Sequence, residues 1–120
     1  MKLYEIAYLE GEDINDDGSL KSHVGNGLPV LVMVQGNFCG WCTKAKPEFQ
    51  NLLGNKSFAV VTVQTDGDGG DKAANAKISK VNKSPGVPSF LLFDRNGRYD
   101  KSHDGDRTAK ALASFAGGSK

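Results

Sequence analysis

A short apolar run constrains the fold of this 120-residue chain more than any other feature. The run "PVLVMV", residues 29–34, contains no polar side chain and is rich in valine, which is typical of a strand buried on both faces of a sheet. It is far too short to span a bilayer as a helix, because such a helix takes about 20 apolar residues. The run therefore predicts a central strand, and we expect no membrane partner.

Strand and helix patterns alternate along the rest of the chain. Strands are predicted, from alternating or β-branched side chains, at residues 3–9, 29–34, 57–65, 87–94 and 97–103. Helices are predicted at residues 43–54, 71–83 and 107–116, with a weak one between the first two strands. Asn96 and Gly97 predict a tight hairpin between the last two strands. This order predicts an α/β fold with a central mixed β-sheet flanked by helices on both faces.

The helix predicted at residues 43–54 has an apolar face and a defined end. Phe49, Leu52 and Leu53 should share the face that packs on the sheet, and Gly54 should stop the helix. Pro47 lies inside it and should kink it.

Length and charge limit the class of protein. We expect one domain over residues 1–120, with a polar connection at 10–27 and a flexible tail at 117–120. Fifteen Lys and Arg against fourteen Asp and Glu give a formal net charge of +1, and the two signs are interspersed. Because the chain has no basic patch, we expect no nucleic-acid partner. We also expect the protein to be a monomer. The acidic start favours a cytoplasmic location, unless a signal peptide for a periplasmic or secreted protein has been removed.

The stretch "GNFCGWCTKAKPEF" holds the two cysteines of the chain, Cys39 and Cys42. They lie where a strand should give way to a helix, and a helix start favours the thiolate that attacks disulfides. A zinc site needs about four ligands, and His23 and His103 lack a finger-like spacing to the pair. The pattern favours a redox couple over a metal site or inert thiols, and the two alternatives stay open at this point.

Two prolines strengthen the redox interpretation. Pro47 follows Cys42 by five residues, and Val87-Pro88 precedes an apolar strand in "PGVPSFLLFDRNGR". In these features the chain resembles the thioredoxin family over residues 28–116, which implies the thioredoxin fold.

The resemblance also implies roles for individual residues. Cys39 would attack a substrate disulfide, and Cys42 would resolve the mixed disulfide. Pro88 would be a cis proline packed against the pair, with the backbone of Val87 turned toward an extended substrate. Gly105 resembles the small family residue beside the active site, although an ordinary turn glycine explains it nearly as well.

The chain departs from the family between and around its cysteines. Gly40 and Trp41 are neither the Gly-Pro of reducing thioredoxins nor the Gly-His of disulfide isomerases, so the redox direction stays open. Uncharged Trp41 cannot stabilise the Cys39 thiolate as a cationic histidine could, which argues against a strong oxidant. With Phe38 it would form an apolar rim for substrates, unless Phe38 packs inward.

A second departure lies upstream. The family carries a buried Asp and a Trp where this chain has Met33 and Gln35, and the Lys that often pairs with that Asp falls at Thr62. Both charges of the pair are therefore replaced together, as expected if either alone is costly to bury. The proton acceptor for Cys42 is left undefined.

Acidic residues in "DINDDGSLKSHV" follow the first half of a calcium-binding EF-hand loop. The closing glutamate of that loop is Val24 here, so we expect no specific calcium site and a solvated acidic turn instead.

These observations favour a thiol–disulfide oxidoreductase of redox homeostasis and electron transport that needs no cofactor. We expect a reductase of disulfide-containing protein substrates, served by an electron donor for which a thioredoxin reductase is one candidate. One alternative is an oxidase or isomerase of an oxidising compartment, and another is a thioredoxin-fold adaptor that only docks partners.

Overall fold

A five-stranded sheet in the order β1-β3-β2-β4-β5 organises the computed structural model, which describes residues 2–67, 70–83 and 86–117. The strands are β1 Ala7–Tyr8, β2 Val30–Gln35, β3 Ala59–Gln64, β4 Ser89–Phe93 and β5 Tyr99–Ser102. β1, β3 and β2 pair in parallel, whereas β4 pairs antiparallel with β2 and β5 antiparallel with β4. The predicted mixed sheet is confirmed, and all six residues of its central strand β2 are buried.

Helices cover both faces of the sheet. They are α1 Ser22–Gly25, α2 Gly40–Gln50, α3 Lys72–Ile78 and α4 Ala109–Gly117, with a short 3-10 helix at Gly11–Asp13. Leu31 and Met33 of β2 pack in one buried cluster with Phe49 of α2 and Leu112 of α4. Val30, Val32 and Val34 face the opposite cluster, which includes Ala74 and Ile78 of α3. The alternation of β2 thus anchors α2 and α4 on one face and α3 on the other.

The first predicted strand is shorter than expected. Only Ala7–Tyr8 pairs in the sheet, because Glu5 takes a left-handed backbone conformation with φ 60° that interrupts an extended segment. The connection at 10–27 contains the expected weak helix, α1. Two of the buried residues of this connection, Ile14 and Leu20, form an isolated β-bridge.

The prediction of an apolar helical face over residues 43–54 is partly wrong. α2 begins earlier, at Gly40, and ends at Gln50, so the residues after it lie in a turn. Phe49 and Leu52 are buried as predicted, but Leu53 is 38% exposed because the turn no longer follows the helical period. Pro47 lies inside α2, where it cannot donate the usual helical hydrogen bond to the carbonyl of Thr43.

The C-terminal helix begins two residues later than predicted. The backbone N–H of Ala109 donates a 2.7 Å hydrogen bond to Glu48 Oε1, which ties the start of α4 to α2. Of the predicted tail, Gly117 belongs to α4, and 118–120 lie outside the described residues. Within the described part of the chain, no helix is long and apolar enough to cross a membrane.

Candidate active site

Cys39 and Cys42 lie at the first turn of α2 and are joined by a disulfide, with their Cα atoms 5.1 Å apart. Cys39 is the N-cap residue, and its sulfur accepts a hydrogen bond from the backbone N–H of Cys42 at 3.0 Å. A sulfur capping a helix start sits among unpaired N–H groups and the positive end of the helix dipole, which favour its thiolate after reduction. The disulfide supports the predicted redox couple over inert thiols.

No cluster of three or more His, Cys, Asp or Glu side chains that could hold a metal ion occurs among residues 2–67, 70–83 and 86–117.

The carboxylates of the acidic turn, which was predicted to be a poor calcium site, form hydrogen bonds within the chain. Asp13 accepts from the Glu10 backbone N–H and pairs with His23 at 2.7 Å, and Asp17 accepts from the Ser19 backbone and hydroxyl.

The two sulfurs differ in their access to solvent. Cys42 is fully buried, and its Sγ accepts a hydrogen bond from the Gly36 backbone N–H at 3.4 Å. Cys39 is only partly buried. The accessible sulfur is therefore the one at the helix start, as the predicted roles of attacking and resolving cysteine require.

The second predicted element of the site lies directly beside Cys39. The peptide bond between Val87 and Pro88 is cis, and Pro88 is buried. The carbonyl oxygen of Val87 lies 3.5 Å from Cys39 Sγ. The structure thus places Val87, the residue before the cis proline, beside Cys39, while the contact of Val87 and Pro88 with substrate stays a prediction.

An exposed aromatic residue precedes each cysteine of the disulfide. Phe38 is 91% exposed, so the alternative that it packs inward is wrong. Trp41 is 63% exposed, and the Lys44 ammonium lies 4.8 Å from its ring centroid. Large apolar side chains held in solvent next to a reactive sulfur are suited to gripping an unfolded or extended substrate.

Grooves adjoin the two aromatic rings. Trp41, Gly105 and Arg107 line a groove of about 370 Å³, and the role of Gly105 beside the active site stays a prediction. Phe38 lines a larger cavity of about 1000 Å³ together with Lys46, whose side chain is buried. The exposed rings that neighbour the cysteines in sequence therefore adjoin concave surface.

Buried polar groups take the place of the missing ion pair. Met33 and Thr62 are directly opposite each other across β2 and β3, and both are fully buried. Thr62 Oγ1 donates to the Met33 carbonyl oxygen at 2.7 Å and accepts from Gln35 Nε2 at 3.0 Å. Gln35 Oε1 has no hydrogen-bond partner among the described residues.

The sequence identified Gln35 only as a departure from the family. The missed signal was that a glutamine following an apolar strand buried on both faces has to find partners inside the protein. Thr62 on the neighbouring strand supplies one of them.

The comparisons with known proteins agree with this geometry. The thioredoxin family profile matches residues 14–117. Thioredoxin-like protein 453L of Invertebrate iridescent virus 6 is 26% identical over 128 residues, covering 94% of this chain and 93% of the viral protein. Protein disulfide isomerase-like 2-2 of Oryza sativa subsp. japonica is 28% identical over 113 residues and covers 91% of this chain. This chain spans 29% of the length of that plant protein.

Solved structures show the same fold. The exposed lipoprotein thioredoxin Etrx1 of Streptococcus pneumoniae strain TIGR4 superposes with a TM-score of 0.63 at 16% identity, covering 86% of this chain and 94% of that one. The first thioredoxin domain of mouse protein disulfide-isomerase A4 gives 0.61 at 20% identity, covering 97% and 81%. With the family profile spanning nearly the whole described chain and a Cys39–Cys42 disulfide at the helix start, the protein belongs to the thioredoxin family.

Proposed function

We propose that this thiol–disulfide oxidoreductase works as a reductase of disulfide-containing proteins. The activity class follows from its family and its Cys39–Cys42 disulfide, and the direction and the substrate class are our proposal. The observation that carries the proposal is the accessible sulfur of Cys39 at the start of α2, beside the Val87 carbonyl and the exposed Phe38 and Trp41 rings.

The exchange takes two steps. The Cys39 thiolate attacks one sulfur of the substrate disulfide, so that a Cys39–substrate bond forms, the substrate bond breaks and one substrate thiolate leaves. Cys42 then loses its proton and attacks Cys39 Sγ. The Cys39–Cys42 bond forms, and the second substrate thiolate is released. The substrate gains two electrons, and the protein ends in its disulfide form.

Two features of the site support reduction as the direction. Trp41 carries no charge that would stabilise the Cys39 thiolate and so weaken the disulfide. Lys44, the cation nearest in sequence, lies over the exposed Trp41 ring and is engaged there. Without a charged residue between the cysteines, the dipeptide adds nothing to the stabilisation of the Cys39 thiolate by backbone N–H groups and the helix dipole, which favours a stable disulfide.

The proposal extends to partners and surroundings. Continued turnover requires a dithiol or reductase to return electrons to the Cys39–Cys42 disulfide, and a thioredoxin reductase is one such donor. A reductase suits a reducing compartment such as the cytoplasm, and one domain of this size can act as a monomer.

The test compares both directions at equal protein concentration. With dithiothreitol as donor, we expect the chain to reduce a model protein disulfide faster than it oxidises a dithiol peptide in glutathione disulfide. Cys39→Ser should abolish both reactions, and Cys42→Ser should stop after the mixed disulfide. Faster oxidation than reduction would contradict the proposed direction.

An isomerase or oxidase is the second candidate. It is favoured by the similarity to protein disulfide isomerase-like 2-2, whose length this chain covers only in part. A scrambled protein regaining its native disulfides faster with this chain than with dithiothreitol alone would support that candidate. A docking role without chemistry would be supported if Cys39→Ser kept full biological activity.

A further inference from the structure

Gln35 is the last residue of the central strand, and of the two polar atoms of its buried side-chain amide only the nitrogen has a hydrogen-bond partner among the described residues. Its side chain is fully buried, its Nε2 donates to Thr62 Oγ1 at 3.0 Å, and its Oε1 has no partner among the described residues. A buried acceptor without a hydrogen bond costs free energy, so each one in a folded protein calls for an explanation. This acceptor is unpaired in the disulfide form of the protein.

The amide lies on the same side of the sheet as Cys42. Leu31 and Met33 of β2 belong to the buried cluster that contains Cys42, and the two-residue period of a strand puts Gln35 on that face. Gly36, the next residue, donates its backbone N–H to Cys42 Sγ at 3.4 Å. The unpaired oxygen and the buried sulfur therefore belong to the same face of the sheet and to the same end of β2.

Reduction changes what the buried sulfur can offer. In the disulfide, Cys42 Sγ carries no hydrogen and can only accept. Two electrons and two protons, supplied by a thiol reductant, convert the bridge into two thiols, and the Cys42 thiol becomes a donor.

We propose that Gln35 tunes the redox poise of the pair by accepting a hydrogen bond from the Cys42 thiol in the reduced protein alone. The bond supplies the partner that Oε1 lacks in the disulfide form, so it stabilises the dithiol relative to the disulfide. Gln35 therefore makes the protein a weaker reductant than the same chain without this amide. Thr62 acts through Gln35, because its hydroxyl holds Nε2 and so leaves Oε1 as the free end of the amide.

The inference rests on exchange through Cys39 and Cys42 and is independent of the direction proposed above. It concerns the ratio between variant and parent equilibrium constants, which does not depend on the absolute potential of the parent. A parent potential in the isomerase range would contradict the proposed reductase and leave this inference intact.

The test equilibrates parent and variants with a glutathione redox buffer. Gln35→Met keeps the length of the side chain and removes the acceptor. We expect its disulfide to be favoured about tenfold over the parent, which corresponds to about 30 mV or about 1.4 kcal/mol.

Gln64→Met is the matched control. Gln64 pairs in register with Gln35 on β3, is buried, and donates its Nε2 to the Asp66 carbonyl oxygen at 2.6 Å. Its loss should destabilise both redox forms alike and shift the equilibrium less than twofold. An unchanged equilibrium in Gln35→Met, or an equal shift in both variants, would overturn the proposal.

A spectroscopic measurement keeps the proposal testable if Gln35→Met fails to fold. In the Cys39→Ser chain, Cys42 is the sole thiol, and its infrared S–H stretch reports its hydrogen bonding. We expect the lowered frequency of a thiol that donates to an oxygen. The frequency of a free thiol would contradict the inference.

Discussion

Thr62 Oγ1 donates a 2.7 Å hydrogen bond to the Met33 carbonyl oxygen across the two central parallel strands, where these residues stand directly opposite each other. The relationship shows that the positions at which the family carries a buried Asp and its Lys partner are neighbours in this chain too. A hydroxyl bonded to backbone and to Gln35 replaces the ion pair, so no charge has to be buried beneath Cys42.

Restoring the charges should expose this coupling. Met33→Asp buries a carboxylate without a partner, and we expect a loss of unfolding free energy of about 3–5 kcal/mol in urea titrations. Adding Thr62→Lys should recover part of that loss and speed the release of the mixed disulfide near neutral pH, because Cys42 gains a proton acceptor.

Met33→Leu is the matched control for burial without charge, and we expect it to cost under about 1.5 kcal/mol. The double-mutant cycle should show coupling, since the two residues are in register. Additive effects, or a double mutant that resolves no faster than the parent, would refute the role assigned to the replaced pair.

The cysteines should differ sharply in reactivity. Alkylation of the reduced protein near neutral pH should label Cys39 first, because Cys42 is fully buried and Cys39 caps the helix. Peptide mapping by mass spectrometry locates the label. Cys42→Ser should accumulate mixed disulfides with substrates and Cys39→Ser should not, whereas earlier labelling of Cys42 would reverse the roles.

The exposed rings should act on substrate binding and not on redox poise. Phe38→Ser and Trp41→Ser should each lower kcat/KM for a protein disulfide about five- to tenfold, through lost apolar contact at an exposed site. Tyr4→Ser is the control, since Tyr4 is 70% exposed and its backbone contacts Gln50 at the far end of α2. Equal activity of all three variants would exclude the rim as a substrate contact.

Acid should destabilise the segment at 10–27, which connects β1 to β2 along the chain. Burial raises the pKa of Asp13, but the Glu10 backbone N–H and the hydrogen bond and charge of His23 outweigh it and hold the pKa below its usual value. The stabilisation is present above the ordinary aspartate pKa and is lost as pH falls through the lowered one.

Asp13→Asn should therefore lower the melting temperature at neutral pH and have less effect in strong acid. The difference should stay below about 1 kcal/mol, because the His23 side chain of the pair is 61% exposed. A penalty that is independent of pH would contradict this assignment.

Much of the site could be predicted from the sequence because its features are local. A cysteine pair at a strand-to-helix junction and a proline before an apolar strand follow from spacing, and the fold brings Cys39 within 3.5 Å of the Val87 carbonyl. Other features depend on tertiary context. The positive φ of Glu5 has no local sequence signal, and Leu53 is exposed because α2 stops at Gln50.

Hydrogen bonds between side chains on neighbouring strands are the main feature of the site that the sequence does not predict. The sequence predicts Thr62 within a strand and Gln35 directly after one, but their hydrogen bond depends on the register of β2 against β3, which no local pattern specifies. The exposure of Phe38 likewise does not follow from the sequence, since an aromatic residue before a helix start can pack inward or project into solvent.

The equilibrium reduction potential of the Cys39–Cys42 pair in a thiol redox buffer at pH 7 tests the central claim most directly. We predict a value near that of reducing thioredoxins, about −270 mV, because the dipeptide Gly40-Trp41 between the cysteines carries no charge that would stabilise the Cys39 thiolate. A value near about −180 mV, in the range of protein disulfide isomerase, would contradict the proposed reductase.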